Sequence, residues 1–164
     1  MRSTFQIPNK IFSREKLIKQ VFAWKMTGKK IVFTNGVFDV LHKGHIASLS
    51  EAAGYGEILI VAVNADESVK RLKGPARPIN DEQARSLVIA SLVQTDAVII
   101  FKEDTPLELI KELMPDVLVK GGDYTIENIA GAKEVIASGG EVKIASIVEG
   151  ISSTQIIEKM NNKL

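Results

Sequence analysis

Two almost continuous apolar runs constrain the fold of this chain more than any other feature. ILIVAVN occupies Ile58–Asn64, and AVIIF occupies Ala97–Phe101. Strands that are buried on both faces have such runs, and they occur in parallel sheets that helices cover on each side. We therefore predict an α/β fold with a doubly wound parallel sheet.

Amphipathic segments alternate with short apolar runs along the rest of the chain. We predict five strands, at Lys30–Thr34, Ile58–Asn64, Ala97–Phe101, Val117–Lys120 and Val142–Ala145. Helices are predicted at Ser13–Met26, His45–Ala53, Asp81–Ser91, Pro106–Leu113, Gly131–Ser138 and Ser153–Asn161. Joined by right-handed crossovers, these elements build one parallel sheet with helices on both faces.

Length and composition limit the function classes. A chain of 164 residues is expected to form one domain, with a leading helical segment at 1–28 and a core at 29–164. The 21 Lys and Arg balance 20 Asp and Glu, so we expect no nucleic-acid partner. The absence of Cys excludes disulfides and thiolate metal sites. Short apolar runs and no signal-peptide pattern predict a cytoplasmic protein without a membrane partner.

Polar or glycine-containing segments directly follow the predicted strands. They read TNGVFD, NADESVKRLKG, KEDT, KGGDY and VEGISST. Because the carboxyl ends of parallel strands lie at one edge of the sheet, these segments should meet there and form a ligand site. We interpret Lys70–Asn80 (KRLKGPARPIN) as a mobile loop over that site.

The chain has two histidines, His42 and His45, and both follow the first predicted strand. Metal ligation would need further ligands, and HKGH lacks the spacing of a zinc-protease helix. A capping or core role is the second alternative. Gly36 and Gly44 allow close backbone approach, and the second histidine opens a helix whose N-terminus favours anions. This context favours a phosphate site over the other two roles.

Two motifs carry a resemblance to a known family. GVFDVLHKGH resembles the GxFDxxHxGH signature of the cytidylyltransferase-like nucleotidyltransferases, and GISSTQII resembles their late ISSTxxI element. RLKG, RPIN, EDTP, LVKGGDY, IAGAKEV and GGEV lie between them, and the whole stretch from Ile31 to Met160 resembles the heptose 1-phosphate adenylyltransferases. The resemblance implies a Rossmann-like nucleotidyltransferase fold. It also implies the stand-alone form of a unit that is fused to a sugar kinase in many bacteria.

The resemblance further implies an activity in ADP-heptose and lipopolysaccharide biosynthesis. AMP would pass from ATP, with Mg²⁺, to D-glycero-β-D-manno-heptose 1-phosphate, and pyrophosphate would be released. A separate sugar kinase would act upstream, and the protein would form a homodimer. Related cytidylyltransferases have RTEGIS where this chain has Ile147 in place of the arginine. That departure weakens the first alternative, cytidylyl transfer to glycerol 3-phosphate or a similar alcohol phosphate. The second alternative is a non-catalytic nucleotide-binding module.

Carried over to this chain, the resemblance implies a set of site residues. His42, His45 and Lys120 are the predicted catalytic residues. Predicted nucleotide-binding residues are Thr34, Asn35, Gly36, Phe38, Asp39, Gly44, Asn64, Lys70, Lys73, Gly121, Asp123, Gly150, Ser152, Ser153 and Thr154. No residue is predicted to ligate metal directly, because Mg²⁺ would bind through the nucleotide phosphates.

Several of these predictions have plainer alternatives. Asp39 could place Mg²⁺ indirectly or only order its turn. Lys70 and Lys73 could be solvated loop residues, and Asp123 could pair with Lys120 or cap a turn. At least one residue of Ser152–Thr154 could serve only as a helix cap.

Overall fold

Strands and helices alternate along the chain in the computed structural model, which describes residues 6–122, 124–146, 150 and 152–161. In chain order they are β1 (Ile11–Phe12), α1 (Arg14–Met26), β2 (Ile31–Gly36), α2 (Lys43–Ala53), β3 (Ile58–Asn64), α3 (Asp66–Lys73), α4 (Glu82–Ala90), β4 (Ala97–Phe101), α5 (Leu107–Leu113), β5 (Val117–Gly121), α6 (Ala132–Ala137), β6 (Glu141–Ala145) and α7 (Ser153–Asn161). Short 3-10 turns lie at Pro8–Lys10 and Ile126–Asn128.

The strands form one sheet in the order β1-β4-β3-β2-β5-β6, and every neighbouring pair is parallel. From β2 the chain builds outward on one side through β3 and β4, and β5 and β6 then extend the other side. The sheet direction therefore switches between β2 and β5, which is where doubly wound folds bind their ligands.

Two apolar cores cover the two faces of the sheet. Because side chains alternate along a strand, Ile60 packs with α1, α5 and α6, whereas Leu59 and Val61 pack with α2 and α4. All three side chains are at most 1% exposed. The prediction of a doubly wound parallel α/β sheet is confirmed.

The predicted number of strands was wrong by one. The sheet has a sixth strand, β1, in which Ile11 pairs with Val98 and Phe12 pairs with Ile99 at the edge of β4. Two residues cannot form a periodic sequence pattern, and β1 is defined only by its contact with a strand far along the chain. The other five strands lie within two residues of their predicted bounds.

The prediction of a loop at Lys70–Asn80 was wrong over its first part, Lys70–Lys73. Lys70 and Lys73 lie on α3, and hydrogen bonds fasten the end of the segment to Asp39. The helix has few apolar residues, so the apolar pattern did not reveal it. Its acids lie in the first turn and its cations in the last turn, which suits the helix dipole. Gly74, with φ +93°, ends the helix.

None of the helices in the described ranges is both long enough and apolar enough to cross a membrane.

Candidate active site

A cleft of about 510 Å³ opens at the carboxyl ends of the central strands. Eleven of the predicted site residues line it: Thr34, Asn35, Gly36, Phe38, Asp39, His45, Asn64, Lys73, Lys120, Gly121 and Ser153. They come from β2, β3 and β5, from the loop between β2 and α2, from the first turns of α2 and α7, and from the last turn of α3. The fold therefore brings together groups that lie as far apart in the sequence as Thr34 and Ser153.

The two histidines stack on each other at the start of α2. His42 is the N-cap residue, and its ring centroid lies 3.8 Å from that of His45, with 24° between the planes. No described residue is a hydrogen-bond partner of either Nδ1, although both atoms are buried. The first N–H groups of a helix also lack intrahelical partners. This end of α2 therefore concentrates donors that an anion can use.

Phe38 packs against the second histidine of this pair. Its ring meets the His45 ring edge-on, with 5.3 Å between centroids, and its backbone adopts a left-handed φ of 51°. A Cβ on Gly36 would lie 2.9 Å from the Phe38 ring. Gly36 is therefore required by the packing of Phe38, and this packing places the His45 ring.

Burial favours the neutral form of both imidazoles. Burial lowers the pKa of His45 to about 4, with further lowering by His42 and by the charge of Lys73. Burial also lowers the pKa of His42. Neutral imidazoles act as N–H donors to phosphate oxygens and do not repel the nearby lysines.

Lys120 crosses the point where the sheet direction switches. From the end of β5, its Nζ lies 3.1 Å from Asn35 Oδ1 and 3.4 Å from the Asn35 carbonyl oxygen at the end of β2. The same Nζ lies 5.3 Å from the centroid of the Tyr124 ring. With no carboxylate among these contacts, burial lowers the pKa of Lys120 to about 8. The ammonium therefore gains from a bound anion.

Asp39 joins two parts of the chain: the segment after α3, residues 74–80, and the histidine motif GVFDVLHKGH, residues 36–45. Its Oδ1 accepts from the N–H groups of Ile79 (2.8 Å) and Asn80 (2.9 Å), and its Oδ2 accepts from Arg77 Nε (2.7 Å). The Asn80 side chain donates in return to the Asp39 carbonyl. Burial would raise the pKa of Asp39, but the Asn80 and Ile79 N–H groups and Arg77 hold it below its usual value. Asp39 thus orders this turn as a carboxylate.

Arg85, on α4, is buried beneath the Asp39 contact and donates hydrogen bonds to three parts of the chain. Its side chain is 0% exposed, and all three guanidinium nitrogens donate. Nε meets the Asn80 carbonyl (2.9 Å), Nη1 meets the Val37 carbonyl (2.7 Å) and Nη2 meets Asp66 (2.6 Å). One buried arginine therefore joins the histidine motif, the segment after α3 and the start of α3.

Two hydroxyl groups at the start of α7 have different partners. Ser152 Oγ accepts from the N–H of Gln155 and caps the helix, which is the plainer alternative for this residue. Ser153 lines the cleft and donates to the Val40 carbonyl at 3.0 Å. Thr154 and Gly150 are exposed.

The other predicted site residues lie outside the cleft lining. They are His42, Gly44, Lys70, Gly150, Ser152 and Thr154. His42 packs on His45, which does line the cleft. Lys70 is exposed on α3. Asp123 and Ile147 lie outside the described residues.

Sequence reasoning missed several residues that line the cleft. They are Val37, Ser48, Leu49, Leu72, Arg77, Asp104, Thr105, Pro106, Tyr124, Asn128, Ile129 and Ala130. Asp104 and Thr105 follow β4 in KEDT, a segment that was predicted to lie at this edge although none of its residues was predicted to bind. A Cβ on Gly121 would lie 2.9 Å from Ser48 Oγ, so Ser48 is brought in by a close approach of α2 to β5. No local sequence pattern reports such an approach.

Within the part of the chain that the structure describes, no group of three or more His, Cys, Asp or Glu side chains is placed to hold an ion. Both carboxylate oxygens of Asp39 accept hydrogen bonds from protein donors. Asp39 therefore does not fit as a direct ligand of Mg²⁺.

A family model and curated relatives match most of this chain. The model of the family described as cytidylyltransferase-like matches residues 33–159. Over 150 residues the chain is 53% identical to the bifunctional protein HldE of Koribacter versatilis (strain Ellin345), covering 92% of this chain and 31% of that protein. Over 151 residues it is 56% identical to the bifunctional protein HldE of Marinomonas sp. (strain MWYL1), covering 92% and 32%. The chain thus spans about a third of the length of these curated relatives.

Two solved structures are similar to this fold. The lipopolysaccharide core biosynthesis protein from Thermoplasma volcanium GSS1 has a TM-score of 0.62 and 31% identity, covering 74% of this chain and all of that chain. Pantoate-beta-alanine ligase from Francisella tularensis has a TM-score of 0.57 and 15% identity, covering 93% of this chain and 76% of that one. The second likeness bears on the fold alone. The family match and the HldE relatives show that the chain belongs to the cytidylyltransferase-like family of nucleotidyltransferases.

Proposed function

We propose that this member of the cytidylyltransferase-like family transfers AMP from ATP to D-glycero-β-D-manno-heptose 1-phosphate. The products are ADP-heptose and pyrophosphate. The observation that carries this proposal is the stacked pair His42–His45 at the start of α2, next to a cleft that Lys73 and Lys120 also line. The sequence resemblance to heptose 1-phosphate adenylyltransferases supports the choice of sugar. Similarity to a protein named for lipopolysaccharide core biosynthesis supports it as well.

The proposed reaction is a direct in-line displacement. A phosphate oxygen of the sugar 1-phosphate attacks the α-phosphorus of ATP and forms a new P–O bond. The bond from the α-phosphorus to the bridging oxygen breaks, and its electron pair leaves with pyrophosphate. No protein nucleophile takes part, so catalysis consists of positioning and charge stabilisation.

The residues of the cleft have distinct tasks in this reaction. The neutral imidazoles of His42 and His45 donate N–H groups to the triphosphate as charge moves onto the leaving group. Lys73 and Lys120 supply positive charge, and Ser153 at the start of α7 lies beside the departing pyrophosphate. Gly36 and Gly121 also line the cleft, and the lack of a side chain there makes room for the Phe38 ring and for Ser48.

Magnesium would neutralise phosphate charge when it is bound with the nucleotide. Because the oxygens of Asp39 already accept hydrogen bonds from Arg77, Ile79 and Asn80, we assign no protein ligand to the ion. The nucleotide phosphates would hold it. A sugar kinase acting upstream would supply the 1-phosphate, and we expect the enzyme to act as a homodimer in the cytoplasm.

Pyrophosphate release tests the reaction and its substrates together. The purified protein is incubated with Mg²⁺, with ATP or CTP, and with heptose 1-phosphate or glycerol 3-phosphate. We expect release with ATP and the heptose, and a kcat/KM for ATP at least about tenfold above that for CTP, equivalent to about 1.4 kcal/mol.

The other outcomes identify the alternatives. A preference for CTP and glycerol 3-phosphate would make the protein a cytidylyltransferase for alcohol phosphates. Nucleotide binding without pyrophosphate release in any combination would make it a non-catalytic binding module.

A further inference from the structure

We propose that Arg77 binds a phosphate oxyanion of a substrate in the cleft, as a guanidinium that Asp39 holds by its Nε. The proposal rests on the proposed function, because it takes the ligands of this cleft to be phosphates. It adds a binding residue that is not among the predicted site residues.

The first step is the anchoring of the side chain. Arg77 Nε donates to Asp39 Oδ2 at 2.7 Å, and the two side chains are 12% and 1% exposed. Asp39 is itself fixed by the N–H groups of Ile79 and Asn80. Asp39 therefore holds the guanidinium of Arg77 at the cleft by its Nε, while the rest of the group can still reorient.

The second step concerns the N–H donors of Arg77 that the contact with Asp39 does not use. A guanidinium has five N–H donors, and the Asp39 contact uses the one on Nε. Nη2 is buried, and none of the described residues accepts a hydrogen bond from it. Buried donors are nearly always paired, so an unpaired one beside a cleft calls for a partner. Nη2 is closed to solvent, and the guanidinium must therefore turn about its Asp39 contact to meet a ligand.

The third step is a comparison with Arg85, which lies eight positions later. All three nitrogens of Arg85 donate to protein oxygens, so this arginine is complete without a ligand. Arg85 does not line the cleft, whereas Arg77 does. Of two buried arginines that serve the same segment, the one that lines the cleft is the one with an unpaired nitrogen.

The fourth step is the chemistry of the partner. Guanidinium groups match the planar, bidentate geometry of phosphate oxygens better than an ammonium does. Lys73 and Lys120 line the same cleft and add positive charge. A phosphoryl oxyanion therefore fits Arg77, whether it belongs to the nucleotide or to the sugar 1-phosphate.

Binding measured without turnover tests this proposal. Titration calorimetry with ATP, with heptose 1-phosphate and with inorganic pyrophosphate is compared for the unmodified protein, Arg77→Gln and Arg77→Lys. Arg14→Gln is the matched control, because Arg14 is a guanidinium paired with two carboxylates, Glu103 and Glu112, outside the cleft. We expect Arg77→Gln to weaken at least one of these ligands by about tenfold or more.

The separate ligands identify the source of the oxyanion. Weaker binding of ATP and pyrophosphate would assign Arg77 to the nucleotide phosphates, and weaker binding of heptose 1-phosphate alone would assign it to the acceptor. Arg77→Lys keeps the positive charge beside Asp39 but loses the planar fork, so it should keep the melting temperature and still bind less tightly. It also provides the test if Arg77→Gln does not fold.

Two results would overturn the proposal. One is that both Arg77 variants bind all three ligands with the same affinity as the Arg14→Gln control. The other is full recovery of binding in Arg77→Lys, because a purely structural contact with Asp39 needs only a cation. Pyrophosphate keeps this test separate from the proposed function. If the protein binds pyrophosphate through Arg77 but catalyses no transfer, the reaction is wrong and the role of Arg77 stands.

Discussion

At the amino ends of the strands, carboxylates accept hydrogen bonds from strand N–H groups, whereas at the carboxyl ends three buried side-chain nitrogens have no partner among the described residues. Asp116 Oδ2 accepts from the N–H of Ile31 at 2.7 Å, and Asp96 Oδ2 accepts from the N–H of Leu59 at 2.8 Å. Glu141 forms ion pairs with Lys30 and Lys143, and all three side chains are at least 41% exposed. At the amino-end edge, therefore, charged side chains either pair with strand N–H groups or form exposed ion pairs with each other.

The carboxyl-end edge retains groups that are costly to bury. Each buried side-chain nitrogen without a partner among the described residues lies there: His42 Nδ1, His45 Nδ1 and Arg77 Nη2. The pKa values of His45 and Lys120 are lowered by burial at the same edge. Such groups persist where a ligand repays their cost. One sheet thus has an edge built for stability and an edge built for binding.

Arg85→Met should give the largest effect on stability at the carboxyl-end edge. The change removes three hydrogen bonds and leaves Asp66 and two carbonyls without their donor. Breaking a buried charge pair on one side costs about 3–5 kcal/mol of unfolding free energy. Urea denaturation measures it, with Arg14→Met as the surface control, for which we expect less than about 1 kcal/mol. Equal losses in the two variants would show that Arg85 has no special role.

Alanine at either histidine should reduce turnover without unfolding the protein. Removing one preorganised donor costs on the order of 10²-fold in kcat. The side chains of His42 and His45 make no hydrogen bond to a described residue through Nδ1, so their loss should leave the urea midpoint nearly unchanged. Steady-state kinetics and urea denaturation of His42→Ala and His45→Ala check both statements. Unchanged turnover in either variant would remove that histidine from the anion site.

The pKa of Lys120 should make activity and stability respond to pH in opposite directions. Lys120 loses its proton at about pH 8 in the fold and near its ordinary value of 10.5 in the unfolded chain. Between these values the unfolded chain binds more protons, so stability rises with pH. Activity needs the ammonium, and kcat/KM should fall about tenfold per pH unit above pH 8.

A matched substitution isolates this effect. Lys120→Arg keeps a positive charge throughout the range, so its kcat/KM should be flat from about pH 7 to about pH 10. Both pH profiles and the urea midpoints across the same range provide the measurement. An alkaline decrease that persists in Lys120→Arg would assign it to another group.

Glu141→Gln should have the smallest effect, and it tests the other side of the comparison. Its ion pairs with Lys30 and Lys143 are exposed at the amino-end edge, and solvent screens such pairs. We expect no measurable change in the urea midpoint or in kcat/KM. A clear loss of activity would show that the two edges do not divide their tasks as described.

The sequence predicted best the features that depend on local pattern. Ile58–Asn64 and Ala97–Phe101 form β3 and β4 with the predicted bounds, because continuous apolar runs occur only where both faces are covered. Asp81 and Ser91, the predicted ends of a helix, are the two cap residues of α4. His45, Lys120 and Ser153 do line one cleft, as predicted, because they lie at the carboxyl end of a strand or in the segment after it.

The remaining features depend on contacts between distant residues. α3 was missed because its stability comes from Val69 packing and from charges that suit the helix dipole, and not from an apolar stripe. Arg77 and Arg85 were missed as site residues because a solvated and a buried arginine look the same in a sequence. Only Asp39, Asp66 and the Val37 carbonyl distinguish them, and these lie 19 to 48 positions away.

The contact of Asp39 with Arg77, Ile79 and Asn80 has a consequence for protein engineering. Two short segments, FD at 38–39 and RPIN at 77–80, behave as one interchangeable unit although about forty residues separate them. A chimera would have to keep the backbone shape of RPIN. A replacement segment of another shape would leave the buried Asp39 carboxylate without the N–H groups of Ile79 and Asn80.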